Sequence, residues 1–161
     1  MQVPAATLAL ALLALPAHAA CQGQQVFACD IGSKSVEVCL TPTDLTYSYG
    51  PTDAPELSLT SPITEAAYTP WPGVGSSIWE TVAFQNEGVT YEVWFNADRM
   101  TDEHPITGGV RVMQGDATVA ELACAKDSVR SGLDLIYGAK EAAGQCWDRA
   151  EQVWAASCPE E

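Results

Sequence analysis

Apolar and polar residues alternate most strictly in two neighbouring segments, Ile78–Gln85 and Val89–Asn96. A period of two is typical of a β-strand that buries one of its faces. The residues Asn86-Glu87-Gly88 separate the segments, and a glycine at the last of three loop positions supplies the left-handed backbone that such a hairpin needs. The pattern therefore predicts a β-hairpin in which Glu80 shares a face with Val82.

Segments of the same kind recur through residues 21–124, bounded by turn signals such as Gly32-Ser33 and Gln114-Gly115-Asp116. The other predicted strands are Gln24–Asp30, Ser35–Leu40, Leu45–Tyr49, Glu56–Thr60, Ile63–Thr69, Gly109–Met113 and Ala117–Cys124. Eight or nine short strands with hairpin-length connections predict a mainly β fold. We expect an antiparallel β-barrel or β-sandwich over residues 20–125.

The period of the apolar residues changes after Asp127, where they recur at spacings of three and four. Such spacings place side chains on one helical face, and Asp127-Ser128 is a suitable N-cap. The residues on this face are Val129, Leu133, Ile136, Ala139, Ala143, Cys146, Ala150, Val153 and Ala156. The pattern predicts a C-terminal helical appendage, residues 126–161, that packs on the β domain, with Gly144 as a place where the helix kinks or splits.

The first nineteen residues have the pattern of a signal peptide. Thr7–Pro16 is an apolar run of the right length, and Ala17-His18-Ala19 gives the small-x-small site of signal peptidase. The alternatives are a buried N-terminal helix and a lipid anchor at Cys21. A lipobox has a branched apolar residue at the place of His18, which argues against the anchor.

The cysteines are even in number and all follow the predicted leader. This arrangement indicates disulfide bonds and a periplasmic or secreted location. On one continuous helix Cys146 and Cys158 would lie about 18 Å apart, whereas a disulfide needs a Cα separation below about 7 Å. They pair with each other only if the helix breaks or the tail folds back; otherwise one of them joins the helix to the body. The six candidates are Cys21, Cys29, Cys39, Cys124, Cys146 and Cys158.

The formal charge of −14, from 21 acidic and seven basic side chains, excludes a broad nucleic-acid interface. Apart from the leader, no apolar run approaches the length of a membrane span. Such acidity mainly keeps a protein soluble, and it also steers association with a basic partner.

The sequence offers few residues for catalysis or metal binding. His104 is the one histidine outside the leader, and no G-x-S-x-G elbow accompanies it. Glu80 and Glu92 are the candidate carboxylate pair of a hydrolase. The stretch from Asn96 to His104 holds oxygen ligands but lacks the spacing of a calcium loop. We therefore predict no catalytic residue, no metal and no cofactor, with a carboxylate hydrolase as an alternative.

A Pro-Trp-Pro sequence, followed by two glycines, makes the segment 68–77 the most unusual of the chain. The prolines fix the backbone on both sides of the tryptophan, so the loop loses little entropy when it binds. The predicted binding residues are Tyr68, Trp71, Gly73, Gly75, Ser76 and Ser77. The alternative is that Trp71 folds back and closes one end of the β domain. Tyr47, Tyr49 and Trp94 would add an aromatic platform if they faced the same side.

The phrases Tyr47-Ser48-Tyr49-Gly50, Trp71-Pro72-Gly73 and Thr101-Asp102-Glu103-His104-Pro105 resemble a group of small exported proteins of Gram-negative bacteria. Gly75-Ser76-Ser77 is similar to the small-residue stretch of periplasmic inhibitors of c-type lysozyme, although the Ser-Gly-x-x-Tyr pattern of that family is missing. The second resemblance implies a small antiparallel barrel that inserts a serine-containing loop into the cleft of an enzyme.

Together these features predict an exported, acidic, disulfide-stabilised, non-enzymatic binding module of the cell envelope. The expected partner is a basic protein such as lysozyme or, alternatively, a glycan or peptidoglycan bound through exposed aromatic residues.

Overall fold

The computed structural model describes residues 21–158, so the predicted signal peptide lies outside the described residues. The strands are β1 (Gln24–Ile31), β2 (Lys34–Leu40), β3 (Asp44–Gly50), β4 (Leu57–Pro62), β5 (Ala67–Thr69), β6 (Ser77–Asn86), β7 (Val89–Asp98), β8 (Ile106–Gln114), β9 (Ala117–Ala123), β10 (Arg130–Ser131), β11 (Cys146–Asp148) and β12 (Val153–Ala155). One helix, α1 (Leu135–Ala142), precedes the last two strands.

Two five-stranded antiparallel sheets form the body. The first has the order β10-β1-β2-β3-β4 and the second the order β5-β6-β7-β8-β9. Neither sheet closes on itself within residues 21–158, so the fold is sandwich-like rather than a closed barrel. The nine strands between residues 24 and 123 confirm the mainly β prediction. The core between the sheets includes Val26, Phe27, Val36, Val38, Leu45, Tyr47, Val82, Phe84, Val93 and Val110.

The strictest alternation in the sequence forms the longest hairpin of the structure, β6–β7. Its loop is one residue shorter than predicted, because Asn86 already pairs with Val89. Glu87 and Gly88 both have positive φ, at 50° and 81°, which is the backbone of a type I′ turn. The twist of that turn matches the twist of the flanking strands, so the sequence sets the register locally.

The predicted strand Ile63–Thr69 is only partly formed, since β5 begins at Ala67. The backbone N–H groups of Glu65 and Ala66 both donate to the carbonyl of Pro62, which makes the first half a turn. Ile63 and Ala66 are nevertheless buried, so their apolar character reflects packing rather than a strand.

The long C-terminal helix of the sequence interpretation is wrong in extent, because α1 covers only eight residues. Before it, β10 pairs with β1, and the N–H of Gly132 donates to the carbonyl of Val26. After it, Gly144 has a φ of 87°, which ends the helix, and β11 and β12 form a hairpin. The helix begins after Asp134 rather than after Asp127-Ser128.

All six cysteines are paired, as Cys21–Cys39, Cys29–Cys124 and Cys146–Cys158. The last pair forms because the tail folds back as a hairpin, which is one of the two arrangements the spacing allowed. Cys29 lies on β1 and Cys124 follows β9, so their bond joins the two sheets. Three disulfides indicate an oxidising, non-cytoplasmic compartment. Within the described residues, no helix combines the length and apolarity of a membrane span.

Candidate functional site

The register of β6 and β7 places Glu80 and Glu92 on opposite faces of the second sheet. Glu80 pairs with Phe95 on the face that also carries the buried pair Val82–Val93. Glu92 pairs with Ala83, one position out of phase, and faces outward. The two carboxylates therefore do not face each other across one cleft, as a carboxylate-pair hydrolase requires.

Glu80 lies in a cleft of about 540 Å³ between β6, the segment that follows β5 and the beginning of α1. Its lining brings together two carboxyl groups and several aromatic rings: Tyr68, Trp71, Glu80, Phe95, Asp134 and Tyr137. A mostly apolar cavity of this size with a few converging polar groups is typical of a binding site.

The carboxylate of Glu80 is buried, with 7% of the residue exposed. The hydroxyl of Tyr68 donates to its Oε1 over 2.7 Å. Burial raises the pKa of Glu80, and the negative charge of Asp134 raises it further, whereas the Tyr68 hydroxyl and the backbone N–H of Asp134 act in the opposite direction. Burial, followed by the hydrogen bond to Glu80, also raises the pKa of Tyr68.

A cationic partner for Glu80 is missing among residues 21–158. The ion pairs there are Lys34–Glu56 and Glu92–Arg111. Buried carboxylates are ordinarily paired or neutralised, because desolvation penalises the charged form. The cleft therefore combines aromatic walls with a buried carboxyl group that no cation among residues 21–158 pairs with.

The loop beside the cleft is exposed and held in one conformation by local bonds. The indole Nε1 of Trp71 donates to the carbonyl of Val74 over 3.0 Å. The guanidinium of Arg99 lies 5.2 Å from the Trp71 ring and donates to the carbonyl of Gly75. The backbone N–H of Arg99 donates to the carbonyl of Ser76. Val74 is 68% exposed at the tip, so a rigid loop presents an apolar side chain to solvent.

The structure separates the predicted binding residues into two groups. Gly73, Gly75 and Ser76 are exposed in the loop, while Ser77 is half-buried at the start of β6. Tyr68 is buried and lines the cleft instead of the surface. Half-buried Trp71 belongs to both groups, since it contacts the loop carbonyl and forms a wall of the cleft. The sequence interpretation missed Asp134 and Tyr137, which only the tertiary fold brings to this place.

The aromatic platform expected from Tyr47, Tyr49 and Trp94 is not formed. Tyr47 is 1% exposed and packs in the core against Phe84, with ring centroids 5.3 Å apart. Trp94 pairs with Thr81 on the outer face of the other sheet. The condition that these residues face the same side is not met, because Tyr47 and Tyr49 lie on β3 in the first sheet and Trp94 lies on β7 in the second.

The acidic stretch around His104 forms an exposed connection between β7 and β8. There the backbone N–H of Met100 donates to Asp98 Oδ1, and His104 Nδ1 lies 3.2 Å from the backbone oxygen of Asp98. The one cluster of potential metal ligands within residues 21–158 consists of Cys21, Glu37 and Cys39. Its two sulfurs are bonded to each other, so the cluster lacks the thiolates that a metal would need.

Comparison with protein-family models, with curated proteins and with solved structures finds no match. The chemistry of the cleft and of the loop beside it is therefore the basis for a function.

Proposed function

We propose that this chain is a non-enzymatic binding module of an oxidising compartment outside the cytoplasm, and that its partner is a basic protein. A lysine side chain of the partner enters the Glu80 cleft while the loop 70–77 contacts the surface around it. The observation that carries the proposal is the buried carboxylate of Glu80, which has no cationic partner among the described residues and lies between aromatic walls.

The chemistry of the cleft fits a lysine side chain along its whole length. The methylene stem of lysine packs on apolar surface while its ammonium reaches a polar group. Here the rings of Trp71 and Tyr137 provide the apolar walls, and Glu80 and Asp134 provide the acceptors. An ammonium beside aromatic faces gains about 0.5–2 kcal/mol, and the gain increases when water is excluded.

The adjoining loop supports a protein rather than a small molecule as the partner. Its conformation is fixed before binding by Trp71 and Arg99, so little further ordering is needed. Asp102 and Glu103 are exposed on the neighbouring connection. With a total formal charge of −14, these groups favour rapid encounter with a basic surface.

The direct test uses hen egg-white lysozyme as the basic protein. We expect the mature chain to inhibit lysis of bacterial cell walls and to bind lysozyme in calorimetry at low salt, with association slowing as salt is added. Glu80→Gln keeps the size of the side chain and removes its charge. We expect this change to weaken binding at least tenfold, which corresponds to about 1.4 kcal/mol.

Glu151→Gln is the matched control, because it removes one negative charge from an exposed position on the C-terminal hairpin turn. It should leave the affinity within about twofold of the unchanged chain, as expected for a distant screened charge. Absence of inhibition at micromolar excess would overturn the lysozyme proposal. Equal loss of affinity in Glu80→Gln and Glu151→Gln would show that net charge, and not the cleft, drives binding.

A further inference from the structure

The outer face of the second sheet carries a second concave surface, separated from the Glu80 cleft by the sheet itself. Its cavity measures about 550 Å³. Trp79 pairs with Asn96, and Thr81 pairs with Trp94, so two tryptophans and two polar residues alternate across β6 and β7. Thr107 on β8 continues the row beside Asn96. We name this surface, lined by Trp79, Thr81, Trp94, Asn96 and Thr107, the outer tryptophan face.

The charges at one end of the outer tryptophan face cancel. Arg111 Nη1 lies 2.7 Å from Glu92 Oε1, and the guanidinium also lies 5.0 Å from the ring of Trp94. Within the lining of the cavity Glu92 and Arg111 balance each other, while the exposed Glu121 opposite Arg111 on β9 adds a negative charge at its border. Because the charged groups of the lining are already paired with each other, the cavity offers no free charge to an ionic ligand.

The indole N–H of Trp94 has no hydrogen-bond partner among the described residues, although its Nε1 atom is buried. Gly109 lies opposite Trp94 on β8, and a Cβ at this position would come within 3.1 Å of Nε1. The glycine therefore lets the indole lie close to the sheet. A buried donor without an acceptor is uncommon in native proteins.

We propose that the outer tryptophan face binds a neutral oligosaccharide. Sugar rings have an apolar face, which stacks on an aromatic ring, and an edge of hydroxyl groups that both donate and accept hydrogen bonds. Trp79 and Trp94 supply the rings, while Thr81, Asn96 and Thr107 supply matching donors and acceptors. Glu92 and Arg111 add planar groups that bind adjacent hydroxyls in pairs.

This site goes beyond the proposed protein-binding function, and its lining has only Phe95 in common with the Glu80 cleft. A second copy of the chain is the competing occupant of an exposed sheet face. The polar lining disfavours it, because the centre of a stable protein interface is depleted of glutamate, and Glu92 lies on this surface.

The test is an NMR titration of the mature chain with the β-1,4-linked trimer of N-acetylglucosamine and with cellotriose. We expect the indole N–H signals of Trp79 and Trp94 to shift, with dissociation constants between about 10 μM and 1 mM. Trp79→Ala should weaken binding at least tenfold, and Asn96→Leu should weaken it while Trp79 remains. Trp147→Phe, on the C-terminal hairpin, is the matched control and should leave the affinity unchanged.

Two outcomes would overturn this proposal. One is the absence of any indole shift with either trisaccharide at about 10 mM, a concentration that would largely fill a site with a millimolar dissociation constant. The other is that the same two signals shift on dilution without sugar, which would assign the face to self-association. Because lysozyme binding is measured separately on Glu80→Gln, failure of one proposal does not affect the other.

Discussion

Glu80 and Glu92 belong to the same hairpin, yet their carboxylates have opposite surroundings on the two faces of the second sheet. Glu92 is outward, partly exposed and paired with Arg111 over 2.7 Å. Glu80 is inward, buried and bonded to the neutral hydroxyl of Tyr68. Because neighbouring positions of a strand face opposite sides of the sheet, the position of a carboxylate along the strand determines its surroundings. Glu92 is paired at the surface, whereas Glu80 is buried without a cationic partner among the described residues. An interior carboxylate without a cationic partner costs stability, and under the proposed function this cost serves binding.

Lys140 is a second buried ionisable residue, and it can be compared with Glu80 because its hydrogen bonds join two parts of the fold. It is 1% exposed, and its Nζ donates to the carbonyls of Ile63 and Ala66, each over 2.8 Å. We expect the largest effect in Lys140→Met, which leaves the Ile63 carbonyl without a donor, whereas the Ala66 carbonyl keeps the backbone N–H of Tyr68. The free energy of unfolding should fall by about 2–4 kcal/mol, since an unsatisfied buried carbonyl costs about 1–3 kcal/mol and the hydrogen bond from the charged ammonium to Ala66 is lost as well. Urea denaturation at pH 7 measures it.

The pH dependence of Lys140 sharpens this comparison. Burial lowers its pKa to about 8, below the ordinary value of 10.5. Between these two values the unfolded chain holds more protons than the folded chain, so this group makes stability rise with pH. The unchanged chain should therefore gain stability from about pH 8 towards pH 10 relative to Lys140→Met. A constant difference between the two across this range would contradict the assignment.

The next largest effect should come from Tyr68→Phe, which removes the one side-chain donor to Glu80 among residues 21–158. Leaving a buried carboxylate without that hydrogen bond should lower the free energy of unfolding by about 1–3 kcal/mol at pH 7. Combined with Glu80→Gln, the loss should shrink, because no charge remains to be stabilised. A double-mutant cycle over the four chains measures the coupling, and zero coupling would show that the contact contributes nothing.

Glu80→Gln should raise the free energy of unfolding at pH 7, whereas Tyr68→Phe should lower it. The folded pKa of Glu80 is raised above 4.5, so the folded chain holds more protons than the unfolded chain just above that value. Stability from this group is then highest below pH 4.5 and falls as pH rises through the folded pKa. We expect the variant to be more stable than the unchanged chain by about 1 kcal/mol at pH 7 and equal to it at pH 4. Lower stability at pH 7 would mean that the charge supports the fold.

Glu92→Gln should have the smallest effect. Its side chain is 24% exposed and that of Arg111 is 36% exposed, so solvent weakens their attraction. We expect the free energy of unfolding to change by less than about 1 kcal/mol, with the change decreasing in high salt. An effect as large as that of Tyr68→Phe would remove the contrast between the two faces.

Local sequence rules predicted the β body because its information is local. The alternation in β6 and β7 and the turn at Glu87-Gly88 determine strand, face and register within some twenty neighbouring residues. The prediction of a long C-terminal helix was wrong because long-range contacts determine the structure of this segment. β10 exists as a strand through its pairing with β1, and the disulfide Cys146–Cys158 closes the hairpin that replaces the predicted helix. Apolar spacings of three and four do not reveal either contact.

The candidate site was predictable only in part. Proline, tryptophan and glycine around Trp71 indicated the loop from the sequence, and in the structure residues 72–76 are exposed while Trp71 is half-buried. The sequence also indicates Glu80, because the alternation places its carboxylate on the same face as the apolar residues Ile78, Val82 and Phe84. No local pattern indicates Asp134, since it approaches Glu80 only because the chain returns to the sandwich after β9.

The disulfide Cys29–Cys124 has a consequence for how the cleft opens. It closes residues 29–124 into a covalent ring that contains Tyr68, Glu80 and Trp71. Asp134 and Tyr137, on the opposite wall, belong to the segment outside the ring, which non-covalent contacts such as Trp154 Nε1 to the carbonyl of Tyr68 attach to it. The cleft thus lies between a covalently closed ring and a segment that packing and hydrogen bonds hold against it. Because Leu133 and Ile136 of that segment are fully buried in the core, widening the cleft for a ligand also disturbs core packing.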